Sequence, residues 1–266
     1  LTRVRATDTD TGVWPDMRRE FLGRGRLVFD ERVKVEVPAF AVDPMMVPVT
    51  VSVSGLRGIR RIVVLVDRNP IRKVVEFEPM SAEPVLGLRF KLEQASPVRA
   101  AVQLADGSWH VGGALVDSAG GGCTVPGATR SDGSWSRTLG RVDARLFPSS
   151  VARTTAPAAS SSDGGAPSAA EASLEAQTPA EGGGRRLKLR VMHPMDTGLV
   201  GGIPAFHVTR LSVRDGGGRE LLRLHTFEPV SENPVFSFDF TRAPQGPLRI
   251  DGRDNNGNRI DGRLAD

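Results

Sequence analysis

FEPMSAEPV, residues 77–85, returns at residues 227–235 as FEPVSENPV. The offset of 150 runs on without a gap: Phe90 meets Phe240, Pro97 meets Pro247, Arg99 meets Arg249 and Gly107 meets Gly257. Over the 31 positions from 77 to 107, ten are identical. Turn chemistry reused by chance does not keep two prolines, a serine and the apolar anchors in one register. Common descent of two halves explains it better.

The pattern around the repeat says what kind of halves these are. Val47, Val49, Val51 and Val53 alternate with Pro48, Thr50 and Ser52, and Leu86, Leu88, Phe90 and Leu92 alternate within the repeat itself. Period two marks a strand with one buried face. RIVVLVD (61–67) is apolar nearly throughout, as in a strand covered on both faces. VRAAVQL (98–104) passes through Asp106-Gly107 into SWHVGGALV, and the second half offers RLKLRVM, FHVTRLSVRD, ELLRLHTF, VFSFDF and PLRIDG. Short strands divided by turn residues predict an all-β chain of two immunoglobulin-like antiparallel β-sandwiches. Only GVWPDMRREFL (12–22) reads as a helix. Pro15 suits a first turn, Trp14, Met17, Phe21 and Leu22 share a face, and Gly23 and Gly25 end it.

Residues 149–184 are Ala, Ser, Pro, Gly and Thr with scarcely a large apolar side chain, a composition that buries too little surface to fold. We therefore divide the chain into a first sandwich with the helix (1–148), a flexible linker (149–184) and a second sandwich (185–266). The sandwiches are expected to pair within the molecule, face to face or edge to edge, because a tether keeps their effective concentration high.

Composition excludes several classes. With 35 Lys and Arg against 31 Asp and Glu the chain is mildly basic, yet only four residues are lysine and the arginines are scattered. Without a basic helix or interleaved aromatics, no nucleic-acid partner is expected. No run of 18 apolar residues exists, so no membrane span is expected. No secretory signal is visible at Leu1, and a first residue other than methionine leads us to expect a processed or trimmed N-terminus. A single cysteine excludes an internal disulfide and a multi-cysteine zinc site.

Catalytic constellations are missing: there is no GxSxG, HExxH or Walker pattern. His193 in VMHPMDTG reads as a locally bonded turn histidine, with a soft-metal role beside Met192, Met195 and Cys123 as the weaker alternative. DGRDNNGNRIDG (251–262) lacks the terminal bidentate glutamate of a calcium loop and reads as two consecutive turns. No cofactor and no metal are expected. The chemistry left is Cys123, in DSAGGGCTVPG. Gly120, Gly121 and Gly122 give it a flexible arm and little to pack against, which predicts an exposed thiol offered to another protein's active site. Beyond it, Trp135, Leu139, Val142 and Leu146 are placed to re-anchor the chain on the first sandwich.

These motifs, taken in order, resemble a known family. VPVTVSV, LVDRNP (65–70), the ADG turn (105–107) and a last strand running into GGGC are similar to SoxY; MHPMDTG (192–198), IPAFHV (203–208), SENPVFSFDF (231–240) and DNNG (254–257) are similar to SoxZ. The resemblance spans residues 14–123 and 186–262. It implies a periplasmic, non-enzymatic sulfur-compound carrier in which Cys123 is the covalent attachment point and Gly120, Gly121 and Gly122 form the arm. Partner oxidoreductases, cytochromes or sulfur-oxidation enzymes would act on the tethered group. Two departures stand out: the chain continues past the cysteine, and both subunits lie in one chain. Both features resemble the fused SoxYZ-like carriers that accompany quinoprotein alcohol dehydrogenases. This leaves a second reading, an accessory or docking protein of such a dehydrogenase with a different cargo or none.

Overall fold

The alternating valines at 47–53 form a strand whose odd positions are buried and whose even positions face outward. A computed structural model describes residues 11–149 and 183–265; the proposed linker falls outside them except for its first residue and its last two. In the first half the strands are β1 (Leu27–Phe29), β2 (Val33–Glu36), β3 (Phe40–Ala41), β4 (Val47–Val53), β5 (Ile59–Val66), β6 (Lys73–Glu78), β7 (Val85–Phe90), β8 (Ser96–Leu104) and β9 (Trp109–Ser118). Then come β10 (Val142–Pro148), β11 (Arg185–Val191), β12 (Val208–Arg214), β13 (Glu220–Thr226), β14 (Val235–Phe240), β15 (Leu248–Asp254) and β16 (Arg259–Leu264). They make an all-β fold of two stacked sheets, antiparallel except where the short β1 and β3 run parallel to β9.

The halves meet edge to edge, and both sheets run straight through the junction. One sheet is ordered β1-β9-β8-β5-β6-β13-β12-β15-β16, the other β10-β11-β14-β7-β4-β2. The repeated motif lies on this seam. Across β6 and β13, Val75 faces Thr226 while Glu76 faces His225; across β7 and β14, Gly87 faces Ser237. With an offset of 150, the two β6–β13 pairings are each other's counterpart with the roles exchanged, and Gly87 faces its own equivalent. That is an isologous contact about a pseudo-twofold axis. Phe77 and Phe238 close it inside, their ring centroids 5.5 Å apart, within one core drawn from both halves. A protease site introduced between residues 149 and 183 and cut to completion should leave the halves eluting together on gel filtration. Separate elution would contradict shared sheets.

β5 is apolar on both faces because two cores use it. Ile62, Val64 and Val66 point between the sheets. Val63 and Leu65 point outward, under Met17, Leu22 and Trp109. The predicted helix is present as α1 (Trp14–Met17), continued to Leu22 by a wider turn of π type. No helix among the described residues is long and apolar enough to cross a membrane.

Two expectations are corrected. The stretch after Cys123 anchors on the second half and not the first: β10 pairs antiparallel with β11, from Val142 opposite Val191 to Pro148 opposite Arg185. Leu146 therefore sits opposite Leu187, at the edge of the second half's sheet. The chain leaves β10 and re-enters β11 at one place, where the Ser149 N–H donates to the Gly184 carbonyl at 2.9 Å. In addition, DGRDNNGNRIDG forms one hairpin turn between β15 and β16 rather than two turns, since residues 251–254 already belong to β15.

Candidate functional site: the cysteine arm

From the end of β9 the chain turns back on three glycines. Gly120 and Gly121 take φ of +90° and +86°, a left-handed region that other residues rarely adopt. At Gly120 close packing adds to this, since a Cβ there would lie 2.7 Å from the Glu93 carbonyl oxygen. The Gly121 N–H donates to the Glu93 carbonyl (3.1 Å) and the Gly122 N–H to the Leu92 carbonyl (3.0 Å). A Cβ on Gly122 would lie 2.1 Å from the Pro44 carbonyl oxygen and 2.6 Å from that of Leu92. In this conformation the arm is docked.

The expected exposed thiol is instead buried: Cys123 is 1% exposed. Its N–H donates to Glu93 Oε2 (2.9 Å) and its Sγ–H points to the Lys91 carbonyl (3.6 Å). Its own carbonyl accepts from Thr197 Oγ1 of the second half at 2.7 Å. Thr124 Oγ1 adds a bond to Glu93 Oε1 at 3.0 Å. Burial, then the nearby Glu93 carboxylate, push the thiol up to about 12, with Lys91 opposing. At neutral pH the docked sulfur is a protonated thiol, and the thiolate is the nucleophile. Chemistry on it requires the arm to open.

The wall holding the thiol is residues 91–93, just after β7. Asn69, from LVDRNP, clamps it: Nδ2 donates to the Lys91 carbonyl (2.7 Å) and Oδ1 accepts from the Glu93 N–H (2.9 Å). The Lys91 ammonium is itself buried and donates to the Met195 carbonyl across the seam. Burial lowers its affinity for the proton; the Asp196 carboxylate foremost, and that of Glu232, support the charge. Asn69→Ala should cost roughly 1–3 kcal/mol in urea unfolding, since it orphans a buried donor or acceptor on this wall. An unchanged midpoint would remove Asn69 from the account.

The other flagged residues lie elsewhere. His193 is buried; its Nδ1 accepts from the Met195 N–H (3.1 Å), and its ring meets Phe206 at a tilt of 55° with centroids 4.4 Å apart. Its Nε2 lies 3.5 Å from Asp254 Oδ2, and burial, opposed by Asp254, lowers it to about 4. Asp254 spends its oxygens on its own hairpin, accepting from the N–H groups of Asn256 and Asn258. Among the described residues no three His, Cys, Asp or Glu side chains converge as a metal site would need. Asn69, Lys91, Glu93, Asp196, Thr197 and Arg130 join the site without having been expected there from the sequence. Signals for three of these were present in the quoted motifs, Asn69 in LVDRNP and Asp196 and Thr197 in MHPMDTG.

Fold and site together define a class: an all-β protein of two sandwich halves sharing a sequence repeat, whose lone thiol, on a glycine arm, closes into the seam between them. Residues 18–123 match the family described as Sulfur oxidation protein SoxY, and residues 174–264 match that described as Sulphur oxidation protein SoxZ. This chain therefore carries a SoxY domain followed by a SoxZ domain, and the SoxY match ends on Cys123. Among solved structures, the sulfur carrier protein SoxY from Chlorobium limicola f thiosulfatophilum is similar over 41% of this chain and 98% of its own, at 20% identity and a TM-score of 0.37. A superoxide reductase (neelaredoxin) from Ignicoccus hospitalis is similar over 41% and 98%, at 18% identity and a TM-score of 0.30. No curated protein matches the chain in sequence.

Proposed function

We propose that the chain is a non-enzymatic carrier of sulfur-compound intermediates, held covalently on Cys123 and presented to partner oxidoreductases and cytochromes in the periplasm. The observation that carries this reading is the end of the SoxY match on the chain's lone thiol, at the tip of Gly120-Gly121-Gly122. Joining Cys123 to a second sulfur replaces its S–H bond with S–S. The proton passes to solvent and two electrons pass to a redox partner, so loading needs such a partner. The protein's own part is to shelter the sulfur between encounters and release it on the arm. Intact-mass spectrometry of protein from its native host should show adducts that vanish in Cys123→Ser. Bare thiol throughout active metabolism would overturn the reading.

The burial of Cys123 favours a second reading, in which the sandwiches form a docking accessory of a periplasmic quinoprotein alcohol dehydrogenase and the thiol is secondary. A Cys123→Ser strain would then keep dehydrogenase-linked growth that deletion of the whole gene abolishes. On the carrier reading, Cys123→Ser and the whole-gene deletion both lose sulfur-compound oxidation.

A further inference from the structure

We propose that Arg130 and Asp196 are positioning residues for Cys123: their ion pair latches the post-cysteine segment to the second half, and its opening sets how fast the thiol becomes available. The inference rests on the carrier reading only in taking Cys123 as the reactive group.

The segment from Ser118 to Val142 contains two one-turn helices, α2 (Ala128–Ser131) and α3 (Trp135–Thr138), and neither contains a buried residue. A segment with so little apolar anchorage belongs to the part of a fold that opens locally, without unfolding the rest. Its downstream end is tied to the second half by backbone bonds, Gly140 N–H to the Met192 carbonyl (2.9 Å) and Met192 N–H to the Arg141 carbonyl (2.8 Å), and between Cys123 and that end it is held by a short set of side-chain contacts across the seam. Thr129 donates through its N–H and Oγ1 to Glu232 Oε2, at 3.2 and 3.0 Å. The Arg130 guanidinium donates to Asp196 Oδ2 through Nε at 2.9 Å and also through Nη2. It lies 4.2 Å from the Trp135 ring centroid, and Trp135 meets Phe206 edge-on at 5.8 Å. These three side chains also line a cavity of about 520 Å³, which leaves room for them to rearrange.

Within this set the Arg130–Asp196 pair has the strongest bond and the most direct route to the thiol. Hydrogen bonds between charged groups are about twice as strong as neutral ones, and Asp196 is 4% exposed. Asp196 also sits between Met195, whose carbonyl receives the Lys91 ammonium, and Thr197, whose hydroxyl holds the Cys123 carbonyl. It is the foremost charge supporting Lys91. Breaking the pair therefore loosens the downstream end of the arm and leaves Asp196 and Lys91 to pair more closely. The glycines upstream have no side chains to compensate.

The test is the alkylation rate of Cys123 by iodoacetamide, followed by intact mass on the full chain, with the urea midpoint of each variant measured alongside. Arg130→Gln and Asp196→Asn should each raise the rate about tenfold or more. The double variant should add little to either, because the two act through one contact. Arg130→Lys, which keeps the charge without the fork, should recover part of the wild-type rate. Arg145→Gln, on β10, should change nothing. A wild-type rate in Arg130→Gln would overturn the proposal, as would an Arg130→Lys rate no closer to wild type. A rate rising only in step with global destabilisation would overturn it too. Should Asp196→Asn not fold, the two Arg130 variants decide. Iodoacetamide brings no cargo, so the two readings fail separately: a bare thiol in the native host ends the carrier reading, and unaltered alkylation ends the latch.

Discussion

At pH 8, Cys123 in the folded chain should react with iodoacetamide about a thousandfold more slowly than in the denatured chain. The docked thiol is pushed up to about 12 from an ordinary value near 9.0, which leaves about a thousandfold less thiolate at pH 8 for as long as the arm stays docked. The sign of the linkage follows. The docked thiol keeps its proton up to about pH 12, whereas the released one loses it near 9. Below pH 9 both states hold the proton and docking is indifferent to pH. Above it the released state binds fewer protons, so docking weakens about tenfold per pH step until the docked group also ionises. The logarithm of the native rate should therefore keep rising past pH 9, where that of the denatured chain levels off. Gly122→Ala should recover most of the thousandfold at pH 8, since its Cβ would strike the Pro44 and Leu92 carbonyls and hold the arm out. A wild-type rate equal to the denatured one would refute the docked arm. So would a Gly122→Ala rate equal to wild type.

The largest loss of stability is expected at Arg99. Its guanidinium reaches Asp67 with two parallel bonds, Nε to Oδ1 and Nη2 to Oδ2, both 2.8 Å, and both residues are 0% exposed. Trp14 of α1 lies over the guanidinium at 4.6 Å, and Thr11 Oγ1 donates to Asp67 Oδ2. Removing one partner leaves the other charged and buried, so Arg99→Met should cost about 3–5 kcal/mol. Asp67→Leu together with Arg99→Met should cost far less, because no orphaned charge remains. Urea unfolding of both variants is the measurement. A single-variant cost below about 1 kcal/mol, the size of a surface pair, would show that the site is hydrated. The aligned residue in the second half, Arg249, is 54% exposed at its side chain and pairs with Asp251 in open solvent. One repeat position thus serves burial in one half and surface charge in the other.

Much of the fold was legible because period-two patterns and turn residues are local. The valines of β4, the doubly covered run of β5 and the helix at Trp14 all appear where their patterns place them. The repeat at an offset of 150 pointed to two halves, and the structure places that repeat on the seam. The site was less legible. Three successive glycines read as freedom when only the chain is known. Gly122 is small because two carbonyls from distant segments pass beside it, and nothing near it in sequence announces them. The same limit hid the destination of β10. Its alternating Val142, Ala144 and Leu146 mark a strand with one apolar face, but the pattern cannot say which sheet has a vacant edge.

β10 is in effect a strand donated by one half to the other. Its seven residues precede the SoxZ match yet complete that half's sheet beyond β11. A fragment beginning at Arg185 would expose the bare edge of β11, and unpaired edges recruit strands from other chains. Solubility of the second half is therefore written in the sequence that follows the cysteine of the first, and a split that respects the family boundaries would create an aggregation-prone edge absent from the intact chain.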